Sequence, residues 1–277
     1  MNPPTRTVAI AGLAIEYDWI EPDTSPPDGA PVMVFLHEGL GSTAMWKDFP
    51  SRLCQALGFR GLVYSRPGYG RSTPRAAHER WSTDFMHKQA IEVLPALLEA
   101  LGVGQGAQNQ PPLWLFGHSD GASIALIYAA HFPDRLTGAV VLAPHSFVEA
   151  IAIESIERAC DAYVNQGLRE RLARWHDDVD SAFYGWSQAW LDPAFRDWTL
   201  LPELESIGCP LLAIQGSDDE YGTMAQIAMI ERVVPGTTVV ALDDCGHSPH
   251  RDQADAVIGA VTRWIAPPFN TTAASPH

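Results

Sequence analysis

Trp114-Leu115-Phe116-Gly117-His118-Ser119-Asp120-Gly121-Ala122 is the stretch that decides the fold. An apolar run enters it, glycines stand two positions either side of a serine, and small residues lead out of it through Ala122 and Ser123. A serine on such a sharp strand-to-helix turn has strained backbone angles, and its neighbours crowd both the strand and the helix. Only glycine or similarly small residues then fit at Gly117 and Gly121. The turn lifts the hydroxyl above the sheet and sets a helix N-terminus beneath it, which favours negative charge nearby. The bland alternative, an ordinary helix N-cap serine, leaves both glycines unexplained.

Outward from this turn, short apolar runs alternate with helical patterns. The runs are Val32–Leu36, Gly61–Tyr64, Leu113–Phe116, Gly138–Leu142, Leu211–Ile214 and Thr238–Leu242. Continuous and often β-branched, they are expected as strands buried on both faces of a parallel sheet. Helical stretches are expected over Trp46–Leu57, Thr83–Leu101 (kinked at Pro95), Ala122–Phe132, Thr223–Val233 and Asp252–Trp264. Alternation on this scale predicts an open α/β sheet with right-handed crossovers. Thr7–Ala11 and Leu13–Ile20 read as an opening hairpin, Glu21–Ala30 as a loop, and Pro267–His277 as a frayed tail. Residues 145–205 break the rhythm, being helical and dense in aromatics. They read as a cap subdomain inserted in a core made of 1–144 and 206–277.

A serine hydroxyl is a poor nucleophile at neutral pH and needs a base. His247 follows Gly246 on the loop after the run ending at Leu242, where a base should stand. Between Ser119 and His247, the run Leu211–Ile214 leads through Gly216 into the acidic loop Ser217-Asp218-Asp219-Glu220. A carboxylate there can accept the proton on the far side of the imidazole and stabilise the imidazolium. The run Val32–Leu36 leads into His37-Glu38-Gly39-Leu40-Gly41-Ser42. The backbone N–H of Gly39 or of Leu40, together with that of Asp120, could hold a developing oxyanion.

These motifs resemble the α/β-hydrolase superfamily over roughly Val8 to Ile265. His37-Glu38-Gly39 resembles its His-Gly-x oxyanion turn, and Ser65-Arg66-Pro67-Gly68-Tyr69-Gly70-Arg71-Ser72 its Asp-x-Pro-Gly-x-Gly-x-Ser loop. Gly216-Ser217-Asp218-Asp219 resembles the Gly-x-x-Asp acid loop, which implies that Asp219 rather than Asp218 is the acid. Gly246-His247 matches the Gly-His near the end of that fold. Two departures stand out: Glu38 replaces a glycine, and Ser65 replaces an aspartate.

The resemblance implies a serine hydrolase acting through Ser119, His247 and Asp219 on a small carboxylic ester, without cofactor or metal. The same residues would serve thioester, lactone or carbon–carbon hydrolysis, and a ligand receptor on the same fold is the rival from another class. Glu38, His118, His145, Phe147, Trp186, Trp190 and Tyr221 are the candidate substrate contacts. A cap rich in rings suits an apolar or aromatic acyl group, and an exposed aromatic cap is compatible with a homodimer.

The bulk numbers narrow the partners. The chain has 277 residues, 46% of them hydrophobic, enough for one large domain with a buried core. Its net charge of −15 repels phosphate backbones and anionic lipid, so neither nucleic acid nor membrane is an expected partner. The four cysteines, Cys54, Cys160, Cys209 and Cys245, lack ligand-like spacing and read as reduced thiols. The first residues, interrupted by Gly12, Glu16 and Asp18, lack a signal-peptide core, so a cytoplasmic location is expected and the Asn270 sequon is a chance match.

Overall fold

The apolar runs become one eight-stranded sheet. The computed structural model describes residues 6–23, 29–104 and 111–266. Positions 24–28 of the expected loop, and the expected frayed tail with its Asn270 sequon, lie outside the described residues. The strands are β1 Arg6–Ile10, β2 Leu13–Ile20, β3 Val32–Leu36, β4 Arg60–Tyr64, β5 Leu113–His118, β6 Gly138–Leu142, β7 Leu211–Gly216 and β8 Thr238–Leu242. Their order is β1-β2-β4-β3-β5-β6-β7-β8. The β1–β2 and β2–β4 pairs are antiparallel, and every later pair is parallel. This is the α/β-hydrolase fold, with a mostly parallel sheet and a helical insertion.

Full burial holds for β3, β6 and β7 but not for β8. As the last strand of the sheet, β8 has a neighbour on one side only among the described residues, and its residues are half-buried or exposed. Ala11 and Gly12, both with positive φ, make the turn between β1 and β2.

Helices cover both faces. On one side, α1 (Phe49–Leu57), α10 (Pro249–Asp252) and α11 (Ala254–Ile265) lie at the sheet, where Phe49, Leu53, Val257 and Val261 pack against Met33, Phe35, Phe116 and Ile214. The other side carries α2 (Phe85–Lys88), α3 (Leu94–Ala100) and α4 (Asp120–His131), with Leu94, Ile124 and Leu126 in the same core as Val34, Leu115 and Val141. α2 and α3 are joined by a π-helical turn, Gln89–Val93. Pro95 has no N–H to continue an α ladder, and the helix widens to a π turn just before it, where the sequence alone predicted a kink. α4 is buried from Asp120 to Ala129, which explains its run of small and apolar residues.

Between β6 and β7 lie α5 (Ala150–Asn165), α6 (Leu168–Leu172), α7 (Val179–Trp190) and α8 (Leu201–Leu204). α9 (Ala225–Val233) follows β7. Asp178 caps α7 by accepting from the Ser181 amide at 2.9 Å. Within the insertion most rings make core: Tyr163 stacks on Phe183 with centroids 3.7 Å apart, and Trp190 meets Phe195 at 4.9 Å. Trp175 and Tyr184 are the exposed ones, at 38% and 37%. No described helix is long and apolar enough to cross a membrane.

Candidate active site

Ser119 sits between the end of β5 and the start of α4 with φ 54° and ψ −122°, a strained conformation for a non-glycine residue. Its amide is tied to the Leu142 carbonyl at 2.9 Å, so the strained turn is anchored to β6. The flanking glycines are steric necessities. A Cβ on Gly117 would fall 2.3 Å from the Gly121 carbonyl oxygen, and one on Gly121 would fall 2.0 Å from that of Leu36.

The loops after β7 and β8 are drawn together by backbone bonds, from Ser217 to Leu242 at 2.8 Å and from Asp218 to Cys245 at 2.9 Å. A Cβ on Gly216 would lie 2.2 Å from the Cys245 oxygen, so glycine alone permits this approach. It brings His247 Nδ1 to 2.8 and 2.9 Å from the two carboxylate oxygens of Asp219. His247 Nε2 lies 2.9 Å from Ser119 Oγ. Because Nδ1 donates to a carboxylate, Nε2 is the acceptor for the serine proton.

Asp219 also accepts from the amides of Tyr221 and Gly222 at 2.8 and 3.1 Å, and from Gln215 Nε2 at 2.6 Å. Burial opposes its ionisation, but hydrogen bonding to His247, the charge of that ring and the Tyr221 amide together hold the carboxyl below its ordinary range. Asp218, by contrast, is exposed and points toward Ser217.

The turn after β3 is held from behind. The Glu38 carbonyl accepts from Arg66 Nη2 at 2.8 Å, from His37 Nδ1 at 2.7 Å and from the Gly41 amide at 3.1 Å. In a trans peptide, the N–H of the following residue points opposite to the carbonyl. With the Glu38 oxygen gripped, the Gly39 N–H is turned the other way. Gly39, Leu40, Ser119 and Asp120 all line one cavity. Among the described residues, the amides of Gly39, Leu40 and Asp120 donate to no protein acceptor.

Arg66 is buried and also faces Asp120, its Nη1 3.9 Å from Oδ2. Burial raises the Asp120 carboxyl, while Arg66 and a 3.1 Å bond from Trp190 Nε1 oppose that rise.

Both departures from the family pattern have a structural account. Ser65 Oγ donates to Glu16 Oε2 at 2.7 Å, and the same oxygen accepts the Arg71 amide at 2.9 Å. Glu16, reaching over from β2, provides a carboxylate beside the position where the family pattern has an aspartate. Glu38 turns its side chain back over its own turn, so that a Cβ on Gly41 would meet Oε2 at 2.5 Å. That oxygen lies 3.5 Å from His118 Nδ1. Burial works against the Glu38 charge, but His118, His250 and His37 outweigh it and hold the carboxyl far below its ordinary range. The other His118 nitrogen, Nε2, donates to the His247 carbonyl at 2.6 Å.

The cavity measures about 160 Å³. Of the candidate contacts, Glu38, His118, His145, Trp186, Trp190 and Tyr221 line it, and Ala152, Ile156, Ser248 and Arg251 complete the wall. Phe147 is not among the lining residues: its backbone pairs with Thr199 and with Gln226, which turns this segment toward the base of the insertion. His145 is pushed down to about 3 by burial, reinforced by the nearby His247, so its ring is neutral at physiological pH. Sequence reasoning did not single out Arg66, Gln215 or His176. Arg66 alone had a local signal, its place in the Ser65–Ser72 motif. Among the described residues no group of three or more His, Cys, Asp or Glu side chains is arranged to hold a metal ion.

A strained serine at a strand-to-helix turn, hydrogen-bonded through histidine to aspartate on a mostly parallel sheet, defines a class of protein as well as a site. The chain matches the model of the alpha/beta hydrolase family over residues 33–260 and belongs to that family. Among curated proteins it is similar to the sn-1-specific diacylglycerol lipase ABHD11 of Mus musculus, with 24% identity covering 92% of this chain and 86% of that one. It is also similar to the bifunctional esterase/perhydrolase DCH of Acinetobacter calcoaceticus, with 27% identity over 70% of this chain and 76% of that one. Among solved structures, the proline iminopeptidase of Mycobacterium smegmatis superposes with a TM-score of 0.74 at 16% identity, covering 94% of this chain and 97% of that one. The enol-lactonase of Burkholderia xenovorans gives 0.70 at 22% identity, covering 94% and 99%. These two likenesses are of fold.

Proposed function

We propose that the protein is a serine hydrolase that cleaves small carboxylic esters through an acyl-enzyme intermediate. The observation that carries this reading is the unbroken chain from Ser119 Oγ to His247 Nε2 at 2.9 Å and from His247 Nδ1 to Asp219 at 2.8 Å. His247 Nε2 takes the serine proton as Oγ attacks the ester carbonyl. The negative charge that gathers on the carbonyl oxygen is held by the amides of Gly39 or Leu40 and of Asp120. As the carbon–oxygen bond to the alcohol breaks, His247 Nε2–H returns the proton to the leaving oxygen. Water, deprotonated by the same nitrogen, then attacks the acyl carbon, and Ser119 recovers its proton as the acid leaves.

The size of the cavity limits the acyl group. A space of about 160 Å³ walled by Leu40, Ala152, Ile156, Trp186 and Trp190 suits a compact apolar or aromatic group. An engineered apolar cavity of about 150 Å³ holds benzene, which gives the scale. The curated relatives named as a lipase and an esterase support ester cleavage as the reaction class. A panel of p-nitrophenyl esters, aryl thioesters and lactones tests the bond type, with Ser119→Ala as control. Labelling of Ser119 by a fluorophosphonate separates an enzyme from a ligand receptor. Full activity in Ser119→Ala, or no adduct on folded wild type, would sink the proposal.

A further inference from the structure

His176 belongs to the insertion, between α6 and α7, and lies outside the Ser119–His247–Asp219 chain. It is 5% exposed, yet both ring nitrogens have partners in the core. Nδ1 accepts the Gly70 amide at 2.9 Å, so Nε2 carries the proton and donates to the Leu40 carbonyl at 3.0 Å. The next residue closes the contact through its backbone, the Asp177 amide donating to the Gly70 carbonyl at 2.9 Å.

The Leu40 carbonyl shares a peptide plane with the Gly41 N–H, which donates to the Glu38 carbonyl at 3.1 Å. The Glu38 carbonyl in turn shares a plane with the Gly39 N–H. No described peptide is cis, so fixing each carbonyl fixes the opposed direction of its amide. We infer that His176 is a positioning residue: through two peptide planes, Leu40–Gly41 and Glu38–Gly39, joined by a hydrogen bond, it orients the Gly39 amide toward the space beside Ser119. The insertion and the oxyanion turn are thereby assembled together, since His176 holds the turn only while the insertion is seated on Gly70. This inference rests on Ser119 being the nucleophile and on an oxyanion forming next to it.

Conservative variants separate the two bonds of the ring. His176→Gln can present an amide nitrogen near the place of Nε2 and keep the bond to Leu40. His176→Asn keeps only an acceptor for Gly70, and His176→Ala keeps neither and replaces the asparagine variant if that one does not fold. In the full-length protein, the expected result is that fluorophosphonate labelling and kcat both fall about tenfold or more in His176→Asn. KM on the best p-nitrophenyl ester stays within about twofold, and His176→Gln retains labelling within about threefold of wild type. Equal losses in the two variants, or a change in KM alone, would overturn the inference.

Amide hydrogen exchange over residues 38–42 reads the same contact without activity and should be faster in His176→Asn than in His176→Gln. If wild type takes no label at all, the nucleophile reading fails on its own, and equal exchange in the two variants then rejects the positioning role as well.

Discussion

The site contains two carboxylate–imidazole pairs built on different loops. Asp219 and His247 come from the turns after β7 and β8, whereas Glu38 and His118 come from the turn after β3 and the end of β5. In both, a carboxylate faces Nδ1 and is held ionised by histidine against the opposing effect of burial. What differs is the far nitrogen. His247 Nε2 meets a serine hydroxyl, and His118 Nε2 meets the backbone carbonyl of His247 itself. In the proposed reaction the first pair passes a proton to and from the reacting atoms. The second has a fixed acceptor on one side and a carboxylate 3.5 Å away on the other, so it serves to hold the loop that carries His247. The function of an imidazole–carboxylate pair is therefore set by its third partner.

The largest expected effect breaks the first pair. Asp219→Asn removes the charge that fixes the Nδ1–H tautomer and stabilises the imidazolium, and it should lower kcat on a p-nitrophenyl ester by about 10⁴-fold. His247→Ala should lower it by about 10⁶-fold, close to the effect of losing the serine. Retention of a tenth of wild-type kcat in Asp219→Asn would show that Asp219 is not the partner that matters.

Next in size is Arg66, which joins the backbone of the second pair to the start of α4. Its Nη2 holds the Glu38 carbonyl, and its Nη1 faces Asp120 Oδ2 in a region where both side chains are buried. Arg66→Leu leaves the Asp120 carboxylate without its cation, and breaking a buried pair in this way typically destabilises by about 3–5 kcal/mol. Urea unfolding should register that loss, and Asp120→Asn in the same background should recover part of it. A Leu variant as stable as wild type would mean that Asp120 is already neutral in the native protein.

The division between what could and could not be read in advance follows from how local each constraint is. Gly117, Ser119 and Gly121 are legible because their neighbours in sequence are also their neighbours in space. Gly216 and Gly246-His247 are legible for a related reason, each ending or following a strand in a short loop. Asp219 needed the family resemblance, since Asp218, Asp219 and Glu220 are alike in composition. The fold separates them by burying Asp219 against Gln215 and leaving Asp218 exposed. His176 and Glu16 carry no periodic or motif signal, because each reaches its partners across a long stretch of chain. Phe147 fails as a contact for the opposite reason: richness in aromatics says that rings are packed, not which ring faces the cavity.

The buried histidines around the two pairs add a pH dependence. His145 titrates at about 3, and burial holds His37 and His250 well below the ordinary value. Each of these groups has a folded pKa below its unfolded one. Its contribution to stability is therefore complete above about pH 6.5 and is lost as pH falls toward the folded pKa, at up to about 1.4 kcal/mol per pH unit. Unfolding free energy measured from pH 8 downward should begin to drop near neutrality, as these histidines charge in the unfolded chain. A His145→Phe variant should show a shallower decline, and an unchanged slope would place a protonated ring at that position.

The smallest effect should come from Glu38→Gln, and it tests the comparison most directly. Glu38 lies 3.5 Å from His118 and stands outside the Ser119–His247–Asp219 chain, so its loss leaves that chain of hydrogen bonds unbroken. Removing the carboxylate also acts in two directions: it loosens His118, and it takes a negative charge away from the turn expected to hold an oxyanion. The net change in kcat should be less than about tenfold, against about 10⁴-fold for Asp219→Asn. The sign of the stability effect follows from the lowered folded pKa of Glu38. Its favourable contribution is present above about pH 4.3 and lost as pH falls below that, so wild type and Glu38→Gln should differ most near neutrality and converge in acid. If Glu38→Gln instead lost activity as deeply as Asp219→Asn, both carboxylates would be acting on the reacting atoms. The hydrogen bond from His118 to the His247 carbonyl would then be part of the proton path rather than its support.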